Sequence, residues 1–331
     1  MGRSVTRDHY LDNVKGVLIF LVVLGHTIEK YRYGSPFIYY LWIFIYIFHM
    51  PLFVFVTGYF RKDAGKAAGG AFARFLLPYF IWNTLYQVFN SIYLGFWNIK
   101  PGIPWWAYWF FVSMFTLSVF LPVMIKIRFN ILVLFGLSLL TGNYTQIGDF
   151  LALSRTICFA GFFLMGFYCR KEYFERLRKR SCRIVLVAAS LALCVLVYFY
   201  AVYGALDVEA LPLSLVKSVP YRYTRAGSHA LLIRAVSIPA AMILGALLLA
   251  IVPSKESFLG YVGRKTLVIF IFHEYLCMVF DAFVDLNPVN VFGVIWMILA
   301  AGGITLFLSI GAFHNRYQGF MKRVKYIIVK E

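Results

Sequence analysis

The amino-acid sequence predicts an all-α, polytopic membrane protein with both termini in the cytoplasm. Of its 331 residues, 62% are hydrophobic and 14% are charged. Apolar runs long enough to cross a bilayer core of about 30 Å recur along the whole chain. Most of the 32 Lys and Arg residues fall in alternate connecting segments, as expected from the retention of positive charge on the cytoplasmic side. The formal net charge of +18 is therefore explained without a nucleic-acid partner.

Ten candidate membrane helices, separated by charged or Gly/Pro-rich breaks, fill the chain. Their approximate bounds are 12–32, 37–60, 73–95, 105–125, 129–142, 154–169, 183–203, 230–252, 265–284 and 289–313. No soluble domain or linker interrupts them, so residues 1–331 are predicted to form a single membrane domain. The five cysteines show no metal-ligand spacing, and no metal is expected.

The first span carries four polar side chains on one face: Asp12, Lys15, His26 and Glu29. At about 100° per residue, these four share roughly a third of the helix circumference. His26 lies about 16 Å along the axis from Lys15, near the middle of the bilayer. Polar groups in lipid cost several kcal/mol unless they pair or line a cavity, so the stripe predicts a polar pocket inside a helix bundle. A snorkelling Lys15 and a solvated helix end at Glu29 are the structural alternative.

The second span places His49 two residues before Pro51. A proline inside a helix frees a backbone carbonyl about one turn earlier, which brings polar backbone to the depth of His49. This histidine could face His26, or it could satisfy the freed carbonyl. The sequence leaves both possibilities open.

Basic residues cluster at the predicted inner mouth of the bundle. They are Arg61, Lys66 and Arg74 around the third span, with Arg264 and Lys265 at the start of the ninth. Such a cluster is either solvated topology charge or a seat for phosphate groups. The ninth span also carries His273 and Glu274 near its middle, where a carboxylate is costly unless it is paired or hydrated. Function and structural pairing are both consistent with these two residues.

Ten residues separate Lys15 from His26, which matches the R-x10-H motif of the acyltransferase-3 family of membrane acyltransferases, with Lys in place of Arg. Further segments resemble successive blocks of the fucose 4-O-acetylase-like branch of that family, in the same order: YLDNVKGVLIFLVVLGH, FHMPLFVFVTGYF, RFLLPYFIW, WFFVSMF and VGRKTLVIFIFH. The resemblance extends over nearly the whole chain. It implies ten membrane helices in a bacterial cytoplasmic (inner) membrane, an acyl-CoA donor, usually acetyl-CoA, and a carbohydrate acceptor on a lipid-linked or cell-surface glycan.

By position, the resemblance makes His26 the catalytic histidine, puts Lys15 in the place of the motif arginine and brings Arg74 near the donor. A sugar hydroxyl is a poor nucleophile at neutral pH, and a neutral imidazole is suited to take its proton. Glu29 would orient that imidazole, and His49 or Ser113 would donate to the developing oxyanion. Direct transfer and an acyl-histidine intermediate are both open.

The remaining predicted site residues divide between the donor and the acceptor. Arg61, Lys66, Arg74, Arg264 and Lys265 are predicted to bind acyl-CoA, whereas Asp12, Ser113, His273 and Glu274 are predicted to bind the acceptor. Membrane lipids are the other expected partners, and the sequence predicts no oligomeric state.

A transporter or flippase of a lipid-linked sugar, with an intramembrane His/Glu proton relay, is the alternative function. Transporters of this kind often have two similar halves with paired broken helices. Only the loosely comparable His273 and Glu274 echo the stripe of His26 in the second half, which counts modestly against transport.

Overall fold

The computed structural model describes residues 8–203, 207–286 and 290–328, and it confirms the all-α class. It is 80% helical, and none of the described residues forms a strand. The α-helices are α1 His9–Glu29, α2 Pro36–Tyr59, α3 Ala64–Gly69, α4 Leu77–Leu94, α5 Trp109–Met124, α6 Asn130–Leu140, α7 Leu153–Tyr168, α8 Lys171–Leu177, α9 Arg180–Tyr203, α10 Ala210–Val216, α11 Ala230–Ile251, α12 Phe258–Gly263, α13 Thr266–Phe283, α14 Val291–Leu308 and α15 Gly311–Ile328.

Eight helical segments among the described residues are long and apolar enough to cross a membrane. They are His9–Glu29, Pro36–Tyr59, Trp106–Met124, Phe150–Tyr168, Arg180–Tyr200, Gly227–Ile251, Thr266–Phe283 and Val291–Leu308. The predicted third span falls on α4 and the turn before it, and the predicted fifth on the shorter apolar segment Asn130–Asn143. The count of ten stays a prediction, as does the cytoplasmic position of the termini, whose residues 1–7 and 329–331 lie outside the described chain. Residue 289, the predicted start of the tenth span, also lies outside the described residues.

Packing divides the chain into two compact units. The first comprises Met1–Trp42, Phe174–Ile184 and Ala246–Glu331, and the second comprises Ile43–Tyr173 and Val185–Gly245. Each unit draws on segments distant in sequence, so neither corresponds to one half of the chain. The single domain over residues 1–331 stays a prediction.

In the first unit, α1 begins at an N-cap and packs closely on α12. The side chain of Asp8 accepts a hydrogen bond from the backbone N–H of Leu11 at 3.2 Å, which satisfies one of the free donors of the first turn. A Cβ added at Gly16 would collide with the backbone carbonyl of Leu259, and one at Gly263 with that of Asp12. The two backbones are therefore in contact at these glycines, as in other small-residue helix interfaces.

Asn13 joins the same region of the first unit through hydrogen bonds. Its Nδ2 donates to the carbonyls of Pro253 and Lys255, at 2.7 Å each, and its Oδ1 accepts from Ser257 Oγ at 2.7 Å. The glycine contacts and these bonds set the depth of α1 against the C-terminal helices. That depth determines which side chains meet His26.

The second unit has a similar backbone contact at a glycine, between α2 and α7. A Cβ at Gly58 would collide with the carbonyl of Phe163. The ammonium of Lys62 caps the end of α7, because it donates to the carbonyls of Phe167 and Cys169 at 2.6 Å each. Before α4, residues Phe72–Leu76 form a π-helical turn. Pro78 lacks the N–H that would bond the Arg74 carbonyl one turn earlier, which explains the local change of helix type.

Candidate active site

The polar stripe of α1 forms two ion pairs in the first unit. The ammonium of Lys15 lies 2.7 Å from Asp12 Oδ1, and Nδ1 of His26 lies 3.3 Å from Glu29 Oε2. Both pairs join residues three apart, which are neighbours on a helix surface. The side chain of His26 is 14% exposed, so the imidazole is mostly buried but open on one side.

His26 contacts a second carboxylate through its other ring nitrogen. Nε2 lies 3.5 Å from Oε1 of Glu274, and the ring centroid lies 5.2 Å from that of His273. Both partners come from α13 and are completely or almost completely buried. The structure therefore brings together four predicted site residues: His26, Glu29, His273 and Glu274.

The buried histidine of this cluster has a defined hydrogen-bonding pattern. Nδ1 of His273 lies 2.8 Å from the carbonyl oxygen of Phe270 and 3.1 Å from that of Ile269. Its Nε2 lies 3.5 Å from Glu274 Oε1. One ring nitrogen of each histidine and one carboxylate oxygen of Glu274 lie within 4.8 Å of one another, a spacing that one small cation can bridge.

Contacts beside the cluster hold the end of α1 against α13. Thr27 Oγ1 lies 3.7 Å from Cys277 Sγ, and the ammonium of Lys30 donates to the carbonyl of Asp281 at 2.8 Å. The guanidinium of Arg32 lies 3.5 Å from Glu29 Oε1 and gives this carboxylate a cationic partner. The position of His26 is thus set from both helices.

Arg264 and Lys265, the two predicted donor-binding residues in the first unit, have protein partners. Arg264 Nη1 lies 3.1 Å from Glu256 Oε1. The ammonium of Lys265 is buried, donates to the carbonyl of Ser309 and lies 3.3 Å from the ring centroid of Tyr261. These contacts give both side chains a structural role, and donor binding by them stays a prediction.

In the second unit, His49 and Ser113 are buried and hydrogen-bonded. Nδ1 of His49 lies 2.6 Å from the carbonyl oxygen of Ile45, and Ser113 Oγ lies 2.8 Å from Thr156 Oγ1. The carbonyl at His49 is that of Ile45, whereas the carbonyl that Pro51 leaves without its helical donor belongs to Ile47. The contact that the sequence suggested is thus made with a carbonyl two residues before the expected one.

Two arginines of the predicted basic cluster, Arg61 and Arg74, interact electrostatically in the second unit. Burial, with the charge of Arg74 as a second cause, lowers the pKa of Arg61 to about 10. Arg74 itself is exposed, on the π-helical turn. Lys66 is also exposed and lies 3.5 Å from Asp63 Oδ2. Guanidinium groups are suited to bind phosphate oxygens through paired hydrogen bonds.

Sequence patterns alone did not pair His26 with α13. They placed His273 and Glu274 near the middle of their span and assigned them to the acceptor. The sequence places His26 and His273 at a similar depth, but this does not specify which faces of α1 and α13 are in contact. Arg32, which contacts Glu29, is not among the predicted site residues.

The fold and this cluster define an integral membrane protein with a buried His/Glu site. The family model described as an acyltransferase domain matches residues 8–314. The chain therefore belongs to the acyltransferase-3 family.

Curated relatives match shorter stretches. The nodulation protein NolL of Sinorhizobium fredii is 31% identical over 131 residues, which is 34% of this chain and 36% of the relative. NolL of Mesorhizobium japonicum is 35% identical over 94 residues, 26% of this chain and 25% of that relative. The chain thus spans about a third or less of the length of these relatives. No solved structure matches it.

Proposed function

We propose that this protein is a membrane O-acyltransferase that moves an acetyl or similar short acyl group from acyl-CoA to a hydroxyl of a carbohydrate. Family membership supports acyl transfer, and the apolar helices support a membrane location. The observation that carries the proposal is the contact of His26 with Glu29, at 3.3 Å, on a face that is partly open. A histidine oriented by a carboxylate is the usual general base of acyl transfer.

The position of the hydrogen on His26 in the His26–Glu29 pair determines which ring nitrogen acts as the base. A carboxylate can only accept, so Nδ1 of His26 carries the hydrogen that faces Glu29, and Nε2 carries the lone pair. As the acceptor hydroxyl oxygen attacks the thioester carbonyl carbon, Nε2 takes its proton. The new C–O bond forms, the C–S bond breaks, and the departing CoA thiolate recovers the proton from the imidazolium. Glu29 stabilises that transient cation.

The donor and acceptor follow from the resemblance to the fucose 4-O-acetylase-like branch. We assign the phosphates of acyl-CoA to Arg61 and Arg74, because a guanidinium binds phosphate well and the charge of Arg74 acts on Arg61. The acceptor is a glycan, lipid-linked or at the cell surface, and the membrane is the bacterial inner membrane. His49 and Ser113 remain the assigned oxyanion donors, and Lys15 keeps its place in the motif.

The test is thioester consumption by purified protein, measured as released CoA thiol with and without glycan. His26→Ala should lower the rate by about 10²–10⁴-fold, as is typical when a general base is removed. His314→Ala, at a histidine of α15 with no assigned site role, controls for the loss of an imidazole. Near wild-type transfer by a well-folded His26→Ala protein would overturn the mechanism. A wild-type protein that moves a lipid-linked sugar but consumes no thioester would instead establish the transporter.

A further inference from the structure

Two carboxylates approach different nitrogens of the same imidazole. Glu29 faces Nδ1 of His26 at 3.3 Å, and Glu274 faces Nε2 at 3.5 Å. A neutral imidazole carries one hydrogen, and Glu29 has Arg32 as a cationic partner at 3.5 Å. The hydrogen of His26 therefore lies on Nδ1, and a lone pair on Nε2 points towards Glu274.

The tautomer of His273 follows from its backbone contacts. Carbonyl oxygens only accept, so Nδ1 of His273, at 2.8 Å from Phe270 O and 3.1 Å from Ile269 O, carries its hydrogen. Its Nε2 then carries a lone pair, and within the described part of the chain this atom has no hydrogen-bond partner. This lone pair also faces Oε1 of Glu274, at 3.5 Å.

Three electron-rich atoms thus converge in a buried place: two imidazole nitrogens and one carboxyl oxygen. If Glu274 were ionised, its negative oxygen would face two lone pairs at a depth where charge is costly. A single proton on Glu274 removes the conflict. When it points to Nε2 of His273, it supplies the missing donor and leaves the lone pair of His26 Nε2 unprotonated.

We propose that Glu274 is a positioning residue that holds a proton in the resting enzyme and donates it in a hydrogen bond to His273. When His26 takes the proton of the acceptor hydroxyl, its new Nε2–H points at Oε1 of Glu274, which accepts it. Glu29 acts as the charged partner of the imidazole, and Glu274 as the neutral one. This assignment rests on the proposed function and replaces acceptor binding as the role of Glu274. A divalent cation between the same atoms would occupy the nitrogen that must act as base.

Glutamine substitutions at the two carboxylates form a matched pair of tests. The amide has the shape of a protonated carboxyl but cannot carry charge. Its nitrogen can donate to His273, but unlike the carboxyl oxygen it cannot also accept from His26. Glu274→Gln should lower kcat by less than about 10-fold, whereas Glu29→Gln, which removes a needed charge, should lower it by about 10²–10⁴-fold. Glu274→Leu, which removes the donor, should resemble Glu29→Gln.

Infrared spectroscopy reports the proton without any substrate. The wild-type protein should show the carbonyl stretch of a buried carboxylic acid, absent in Glu274→Gln and present in Glu29→Gln. Because this measurement needs no turnover, it separates a failure of this assignment from a failure of the acyltransferase proposal.

Two outcomes would overturn the assignment. Equal loss of kcat in both glutamine variants, with no carboxylic acid band in the wild type, would mean that Glu274 is ionised. One equivalent of a transition metal in purified wild-type protein, lost in both Glu274→Gln and His273→Ala, would mean that a cation bridges the three atoms.

Discussion

The ammonium of Lys15 lies 2.7 Å from Oδ1 of Asp12, one turn earlier on α1. Lys15 occupies the position that is Arg in the family motif, so the motif cation is part of an ion pair in this chain. A lysine ammonium is a compact charge and does not make the two-pronged contact of a guanidinium. We therefore expect Lys15 to supply charge at this depth, more than one exact shape.

Lys15→Arg should therefore preserve more activity than Lys15→Ala. Arginine keeps a cation beside Asp12, whereas alanine leaves a mostly buried carboxylate without it, which is costly. The measurement is the initial rate of CoA release, with thermal unfolding of each purified variant as the control for folding. Equal losses in both variants would mean that geometry decides. Equal retention would return Lys15 to the role of a snorkelling anchor.

The sequence predicted the first helix and its polar face because both depend on local periodicity. Asp12 and Lys15, like His26 and Glu29, are three residues apart, so their pairing follows from helix geometry. The approach of Glu274 to His26 depends instead on backbone contact between α1 and the C-terminal helices. The glycines that permit this contact carry no polar signal, so the pattern did not reveal it.

The residues assigned to ligands show a second limit. The sequence identified Lys265, His49 and Ser113 as polar groups that could bind a ligand, but each contacts a neutral protein group. A side chain that can bind a ligand can equally satisfy a backbone carbonyl or a hydroxyl. Which of these happens is decided by packing, which sequence spacing does not specify.

Replacing Arg61 or Arg74 by a neutral residue should weaken the binding of acyl-CoA. Arg61→Ala and Arg74→Ala should each raise the KM for acyl-CoA by about 10-fold, the loss expected for one charged hydrogen bond, with a smaller effect on the acceptor KM. The measurement is steady-state kinetics with each substrate varied in turn.

Lys126→Ala and Arg128→Ala are the matched controls for this prediction. Each removes one positive charge from an exposed side chain with no assigned site role. Both should change the acyl-CoA KM less than Arg74→Ala does. A larger rise in the acceptor KM than in the acyl-CoA KM would place the nucleotide elsewhere.

Gly16→Ala should destabilise the protein, because its new Cβ would collide with the carbonyl of Leu259. Overpacking of this kind costs about 1–3 kcal/mol. Gly302→Ala on α14 is the control, since a Cβ there meets nothing within 4 Å. Thermal unfolding in detergent should show a lower midpoint for Gly16→Ala and an unchanged or slightly higher one for Gly302→Ala. Equal midpoints would contradict backbone contact between α1 and α12.

The pH dependence of stability should carry a contribution from Lys217 in the second unit. This side chain is 2% exposed, and its ammonium lies 4.9 Å from the ring centroid of Phe159. Burial, aided by the charge of Arg234, lowers the pKa of Lys217 from 10.5 to about 8. Below that pH, Lys217 is a buried cation in the folded protein, and its burial lowers the free energy of unfolding by the full amount.

Between about pH 8 and 10.5, the unfolded chain binds a proton that the folded protein does not, so stability rises with pH. Over this range the free energy of unfolding increases by about 3 kcal/mol, which follows from the size of the pKa shift. The unfolding midpoint of the wild type should therefore rise more steeply than that of Lys217→Met across this range. Because all other groups titrate in both proteins, the difference between the two curves isolates Lys217. Parallel curves would mean that Lys217 stays charged in the folded protein, with the ring of Phe159 offsetting the cost of its burial.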